Sequence, residues 1–234
     1  MLRLIREQGM TKQKQKRSDG RSGDETRTSL MFSALELFAS KGYEATSTRE
    51  IASAANANIA SIAYHFGGKE GLHTACSTFV AERLTGAIGS TVLETNLPED
   101  PAVAALMVEQ VAGSFVAFLI GQPQAKQVAS FIVREINRPG PVFERLYLDV
   151  FEPVHRRLCA LLAIATGCDA GSDTIRIGAF SLAGQIIYFR LGFPIVARRM
   201  DWDEPGPAEV EKIAKVVRAN IRAFIETNAR KELR

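Results

Sequence analysis

Histidine is scarce in this chain of 234 residues, with three copies at positions 65, 73 and 155. So few leave no evident nucleophile–base triad and no histidine metal cluster. Cysteine is equally sparse. Cys76, Cys159 and Cys168 have neither zinc-like nor redox-like spacing. An odd count without a secretory leader points to a reducing cytoplasm. The common enzyme signatures are missing too: there is no G-x-S-x-G elbow, no H-E-x-x-H, no phosphate loop and no dinucleotide glycine pattern. His155 and Cys159 fall one helical turn apart, but no third group is placed to orient them. No catalytic residue, metal ligand or cofactor is therefore assigned. Long apolar runs are also lacking. The most membrane-like stretch, 102–121, is interrupted by Glu109 and Gln110, which favours a core helix over a spanning one. The start, "MLRLIREQGMTKQKQKRSDGRSGDE", has no apolar segment of signal-peptide length. No segment alternates as a strand, and no repeat period emerges.

Helical spacing fills what remains. Apolar residues at 30, 31, 34, 35, 37 and 38 predict a helix over 24–42, stopped by Gly42. Further helices are predicted over 69–96, 102–121, 124–137, 141–167, 172–192 and 207–233, with Pro153 expected to kink or split its helix. The fold class is all-α: a unit of short helices followed by long ones. Three segments follow from this: a disordered basic arm over 1–23, a short-helix domain over 24–72 and a helical domain over 73–234. Charge divides along the same line. Residues 1–70 hold 11 Lys and Arg against 8 Asp and Glu, whereas residues 71–234 hold 18 of each. A polyanion is expected to dock on the N-terminal part.

The stretch "STREIASAANANIASIAYHFGGKE", residues 47–70, carries the sharpest signal. Ser47 and Glu50 form a capping box that starts a helix at Thr48. Asn56 tolerates the left-handed backbone that ends one, and Asn58 can cap a second helix with its side chain. Two short helices around a tight break make a helix-turn-helix, with Ile51, Ile62 and Phe66 as shared core. Ala60, Ser61, Tyr64 and His65 are then left outward. Small residues allow close approach to a major groove, Ser61 can hydrogen-bond a base edge or phosphate, and Tyr64 and His65 reach the groove walls. Lys69 opens the next helix, where its charge opposes the macrodipole unless a phosphate binds there.

Residues 27–72, "TSLMFSALELFASKGYEATSTREIASAANANIASIAYHFGGKEGL" within them, resemble the DNA-binding domain of TetR-family transcriptional regulators. The order of helix, "KGYEATSTREIA", turn, "YHF" and "GGKEGL" is kept throughout. Asn56 stands where that family commonly has glycine, Ala63 where it has an aromatic and Gly68 where it has a polar cap. The resemblance implies a cytoplasmic homodimer on a double-stranded DNA operator. It implies DNA contacts from Thr46, Thr48, Arg49, Asn58, Ala60, Ser61, Tyr64, His65 and Lys69. Residues 131–170 and "GQIIYFRLG" at 184–192 are similar to the effector domain of the CecR-like subgroup, which is linked to drug-sensitivity and export genes.

The expected function is a ligand-responsive repressor that binds a partly palindromic operator and is released by a small-molecule effector. The alternative is a helical ligand-binding protein or enzyme without operator binding. Polar residues inside apolar runs are the candidates to line an effector pocket: Arg134, Glu135, His155, Gln185, Tyr188 and Arg190, with Phe115, Phe118, Phe131 and Phe189 as walls. Such a pocket suits a partly hydrophobic effector. Helix 172–192 is apolar nearly all round, with Gly178, Ala179, Ala183 and Gly184 as small residues. That composition suits burial on two sides, and by family analogy helices 172–192 and 207–233 form the homodimer interface.

Overall fold

A computed structural model describes residues 23–89 and 96–229. The arm expected over 1–23 therefore lies outside the described residues, apart from Gly23, as do 90–95 and 230–234. Among the described residues the secondary structure is helical throughout, without a strand. The described residues divide into two compact units, one up to Thr78 and the other from Phe79 onward.

The first unit holds α1 (23–41), α2 (Thr48–Ala54), α3 (Ala60–Phe66) and the start of α4 (Lys69–Ile88). Its core is Leu30, Leu35 and Phe38 from α1, Ile51 from α2, Ile62 from α3 and Leu72 from α4, all buried. Phe66 is only half-buried, contrary to its expected place in the core, and Arg27 covers its ring with Cζ 5.3 Å from the centroid. Gly71 locks α3 to α4. A Cβ at that position would overlap the Phe66 carbonyl oxygen, so only glycine allows the two backbones to approach this closely.

The second unit comprises the end of α4, α5 (Pro101–Gly121), α6 (Ala125–Asn137), α7 (Pro141–Leu146), a π-turn (Tyr147–Phe151), α8 (Glu152–Thr166), α9 (Asp173–Leu191), α10 (Phe193–Met200) and α11 (Pro207–Asn228). α5 is central and packs against α8, α9 and α11. By length and a mean hydropathy of 2.0 it could cross a membrane, but buried Glu109 and the core positions Ala104, Val108, Ala112, Val116 and Leu119 make it a packed core helix here. Buried Glu109 on α5 makes a bidentate ion pair with Arg222 of α11, at 2.7 and 2.6 Å. Ser172 caps α9 by accepting the Ile175 N–H.

α4 ends at Ile88, where Gly89 adopts φ 89° and terminates it, so the helix expected over 69–96 is not continuous. The split expected at Pro153 takes the form of a π-turn, which divides the 141–167 stretch into α7 and α8 with Pro153 in the first turn of α8. Having no N–H, Pro153 cannot donate to the preceding turn, and the chain absorbs the mismatch in the π-turn, where the Glu152 N–H donates to the Tyr147 carbonyl five residues back. α10 was not anticipated. It follows Gly192, has Pro194 in its first turn and bends 72° away from α9.

Candidate nucleic-acid interface and ligand cavity

The turn between α2 and α3 is built from hydrogen bonds that its sequence dictates. Ser47 Oγ accepts the Glu50 N–H at 3.1 Å, and Glu50 Oε2 accepts the Ser47 N–H at 2.9 Å, completing the capping box. At the far end of α2, Asn56 takes φ 50°. Its N–H donates to the Ser53 carbonyl at 3.1 Å, and that of Ala57 donates to the Ala52 carbonyl at 2.9 Å. This pair of bonds is a Schellman closure, with asparagine in the usual glycine place. Asn58 Oδ1 then accepts the Ala60 N–H at 2.9 Å. Ser29 Oγ of α1 donates to the Ala55 carbonyl at 3.2 Å and pins the turn.

The result is an α3 with one buried side chain, Ile62, and an open outer face. Ala60 is exposed, Ser61 and His65 are half-buried, and Tyr64 is 85% exposed. Tyr64 meets His65 edge to face, with centroids 4.8 Å apart. Thr48 is half-buried, while Arg49 and Asn58 are exposed. Lys69 sits at the first position of α4 with Nζ 4.1 Å from the Tyr43 ring centroid, and Tyr43 in turn stacks on His73 at 4.7 Å. The aromatic ring offsets the poor fit of a cation at a helix start.

Thr46 does not belong on this surface. It is 1% exposed, and its hydroxyl lies within donating distance of the Gly42 carbonyl at 2.8 Å. The residue closes the α1–α2 corner from within, and its side chain is not presented on the outer surface. Arg27 was overlooked by sequence reasoning. Its sequence neighbourhood carries no motif, and only the packing of α1 beside α3 brings its charge next to Phe66.

The second unit holds a half-open cavity of about 520 Å³. Its walls come from Leu84 and Ile88 at the end of α4, Phe115 and other residues of α5, one face of α6, Tyr147 in the π-turn, His155 of α8, and Ala179, Ala183, Ile186 and Arg190 of α9. Of the expected lining residues, Phe115, His155 and Arg190 are in these walls. Phe118, Phe131, Arg134, Glu135, Gln185, Tyr188 and Phe189 are not. Helical period explains the misses. α6 faces the cavity with Ala129, Ile132, Val133 and Ile136, which turns Phe131 and Glu135 into the core and Arg134 to solvent. Phe118 is buried in the core. On α9, Gln185 lies off the cavity face and accepts the Asn220 Nδ2–H at 2.8 Å. Tyr188 is 55% exposed and meets the half-buried Phe189 edge to face. Tyr147, a wall residue, went unnoticed because the register of a π-turn is not visible in a 3.6-residue pattern.

His155 stacks on Phe180 with centroids 4.0 Å apart, and its Nε2 lies 3.2 Å from the Arg176 carbonyl. Cys159 Sγ is 3.8 Å from the imidazole nitrogens, and burial pushes its thiol pKa up. A thiol held protonated is a poor nucleophile, so the geometry gives no support to covalent chemistry here.

Comparison with known proteins agrees with both halves. Residues 30–76 match the model of bacterial regulatory proteins of the tetR family. Residues 105–227, more than half of the chain, match that of the HTH-type transcriptional dual regulator CecR, C-terminal domain. The CecR regulator of Shigella flexneri is 29% identical over 217 residues, covering 90% of this chain and 96% of that protein. Among solved structures, AibR in complex with isovaleryl coenzyme A and operator DNA superposes with a TM-score of 0.62 at 20% identity, covering 83% of this chain and 97% of that one. PfmR from Thermus thermophilus gives 0.57 at 18% identity, covering 84% and 93%. These matches are to regulators of transcription and not to enzymes. The chain belongs to the TetR family of DNA-binding transcriptional regulators and carries the CecR-type C-terminal domain.

Proposed function

We propose that this regulator is a cytoplasmic repressor, binding a partly palindromic operator as a homodimer and released by a small-molecule effector. The observation that carries the reading is the placement of α4. Leu84 and Ile88 at its end line the cavity, and Lys69 at its beginning belongs to the DNA-reading unit. A ligand that displaces the end of one helix has a direct mechanical route to the other end. It must favour the released state by differential affinity. About 100-fold corresponds to roughly 2.7 kcal/mol, and equal affinity for both states would shift nothing. The AibR complex, with an acyl coenzyme A and operator DNA on one fold, is a precedent for this arrangement.

In this reading α3 enters the major groove, with Ala60 and Ser61 near base edges and Tyr64, His65, Thr48, Arg49 and Asn58 along the walls. Lys69 leaves its aromatic rest for a phosphate. The dimer forms through α9 and α11. Ile177, Phe180, Tyr188 and Leu191 are exposed along one stripe of α9, and Val216 is exposed on α11. A Cβ at Gly184, in the middle of the stripe, would touch nothing within 4 Å. The absence of a side chain there serves no packing inside the chain, and it suits close approach of a second copy.

The test is a DNA shift assay with the protein's own upstream region across a salt series. Binding should weaken steeply as salt rises, with a log–log slope of about −0.9 per phosphate contact. Lys69→Ala should weaken binding to all sequences alike, whereas Ser61→Ala should alter sequence preference. Binding indifferent to salt, or indifferent to both substitutions, rejects the docking described and favours a ligand-binding protein that does not use α3.

A further inference from the structure

Three side chains bring polar groups to the cavity walls, Tyr147, His155 and Arg190, and every other wall is hydrocarbon. The two that carry nitrogen differ in what already engages them. His155 Nε2 faces the Arg176 carbonyl, which can only accept, so this nitrogen must carry the ring proton. The Cys159 sulfur lies 3.8 Å from both ring nitrogens, and Phe180 stacks on the ring. His155 is thus already engaged by a carbonyl, a sulfur and an aromatic ring.

Arg190 is differently placed. Nη1 reaches the Leu119 carbonyl at 3.5 Å, the outer limit of a hydrogen bond, and Cζ lies 5.7 Å from the Phe193 ring centroid. Among the described residues no Asp or Glu forms an ion pair with it. Burial lowers its pKa from the ordinary arginine value, and no carboxylate acts in the other direction. A half-buried guanidinium beside hydrocarbon and without a counter-ion is less well solvated than one in water, a deficit that an incoming anion relieves. Its planar fork also fits a carboxylate better than any neutral group.

We infer that the cavity takes an amphipathic anion, whose apolar body lies among the α5, α6 and α8 walls while a single carboxylate pairs with Arg190. This inference rests on reading the cavity as the effector site. It assigns Arg190 as the residue that selects charge, with the hydrocarbon walls supplying affinity but little discrimination.

The experiment is calorimetric titration of the full chain at pH 7.5 with three probes that share a ten-carbon body: decanoate, 1-decanol and decyltrimethylammonium. Decanoate should bind about ten-fold or more tighter than 1-decanol, the value of one charge-assisted contact. The cation should bind more weakly still. Arg190→Met should remove the preference and leave 1-decanol affinity unchanged, whereas Arg190→Lys should keep most of it. Ala183→Phe, which fills the cavity from α9, should abolish binding of every probe. If 1-decanol matches decanoate and Ala183→Phe blocks both, the charge inference falls and the cavity reading stands. If the decanoate preference survives Arg190→Met, the assignment to Arg190 is wrong. Binding unaffected by Ala183→Phe rejects the cavity as the site, and no binding by any probe overturns both ideas.

Discussion

Asn56 and Asn58 stand two positions apart and perform opposite tasks, one ending a helix through its backbone and the other starting the next through its side chain. Both tasks follow from the same property, a short polar side chain that tolerates a left-handed backbone and reaches nearby N–H groups. Ser47 and Glu50 are a second such pair. Removing the cap in Ser47→Ala should lower stability by about 1 kcal/mol in a thermal melt followed by circular dichroism. Glu50 adds a pH signature. Its hydrogen bond with Lys41 at 2.7 Å, followed by those with Ser47, brings its carboxyl from an ordinary 4.5 down to about 2. A depressed carboxylate stabilises the fold above its unfolded pKa and loses that contribution as pH falls through the folded one. The melting difference between the protein and Glu50→Gln should be constant above about pH 5 and shrink from pH 4.5 to 2; a gap that widens over that interval would contradict the assignment. Ser47, Asn56 and Asn58 were legible in sequence because helix capping selects particular residue types at fixed local positions. The Lys41–Glu50 pair, nine positions apart, and the burial of Thr46 were not. The Thr46 hydroxyl faces the Gly42 and Leu37 carbonyls, four and nine positions back, and it is enclosed only because the α1–α2 corner closes over it.

Glycine marks the places where elements touch. At Gly71 the start of α4 lies against the end of α3, and at Gly178 α9 lies against Phe224 of α11, whose ring occupies the space a Cβ would need. The two should respond differently to alanine. At 71 the obstacle is backbone, which cannot rotate away, so Gly71→Ala should cost about 3 kcal/mol and abolish operator binding while decanoate binding persists. At 178 the obstacle is a half-buried ring that can swing, so Gly178→Ala should cost about 1–2 kcal/mol and be relieved by pairing it with Phe224→Leu. A double variant no more stable than Gly178→Ala alone would show that the ring is not the obstacle. Helix positions were readable because 3.6-residue spacing and proline boundaries are local signals. The π-turn, the 72° bend before α10 and the cavity face of α6 were not, because each depends on which neighbour a helix meets. Polar interruptions were therefore a poor guide to the cavity. Gln185 broke the apolar run of α9 to pair with Asn220 of α11, and Arg134 did so to face solvent, whereas Arg190 faced the cavity.

At the scale of the molecule, α9 has two faces. Ala179, Ala183, Ile186 and Arg190 look into the cavity, Ile177, Gly184 and Tyr188 look outward, and Phe180 and Leu191 stand at the cavity's edge between them. An exposed stripe of that composition on a chain of 25.6 kDa is poorly suited to a monomer, since apolar side chains at one-turn spacing are far more stable against a partner than in water. Gly184 offers the cleanest test, because a side chain there meets nothing in the same chain. Gly184→Arg should leave the circular dichroism spectrum and decanoate binding intact. It should convert the protein in sedimentation from twice the chain mass to a single chain, by setting an arginine and its copy against each other across a two-fold axis. Operator affinity should fall with it, because each chain then reaches one half-site and loses the gain from linking two binding events, on the order of 100-fold or more. If Gly184→Arg sediments as a dimer and binds the operator as before, α9 is not the interface, and its outward stripe requires a different partner. If it sediments as a monomer yet keeps full operator affinity, the dimer is real but DNA is read by one chain alone, and a ligand in the cavity could then act only through α4.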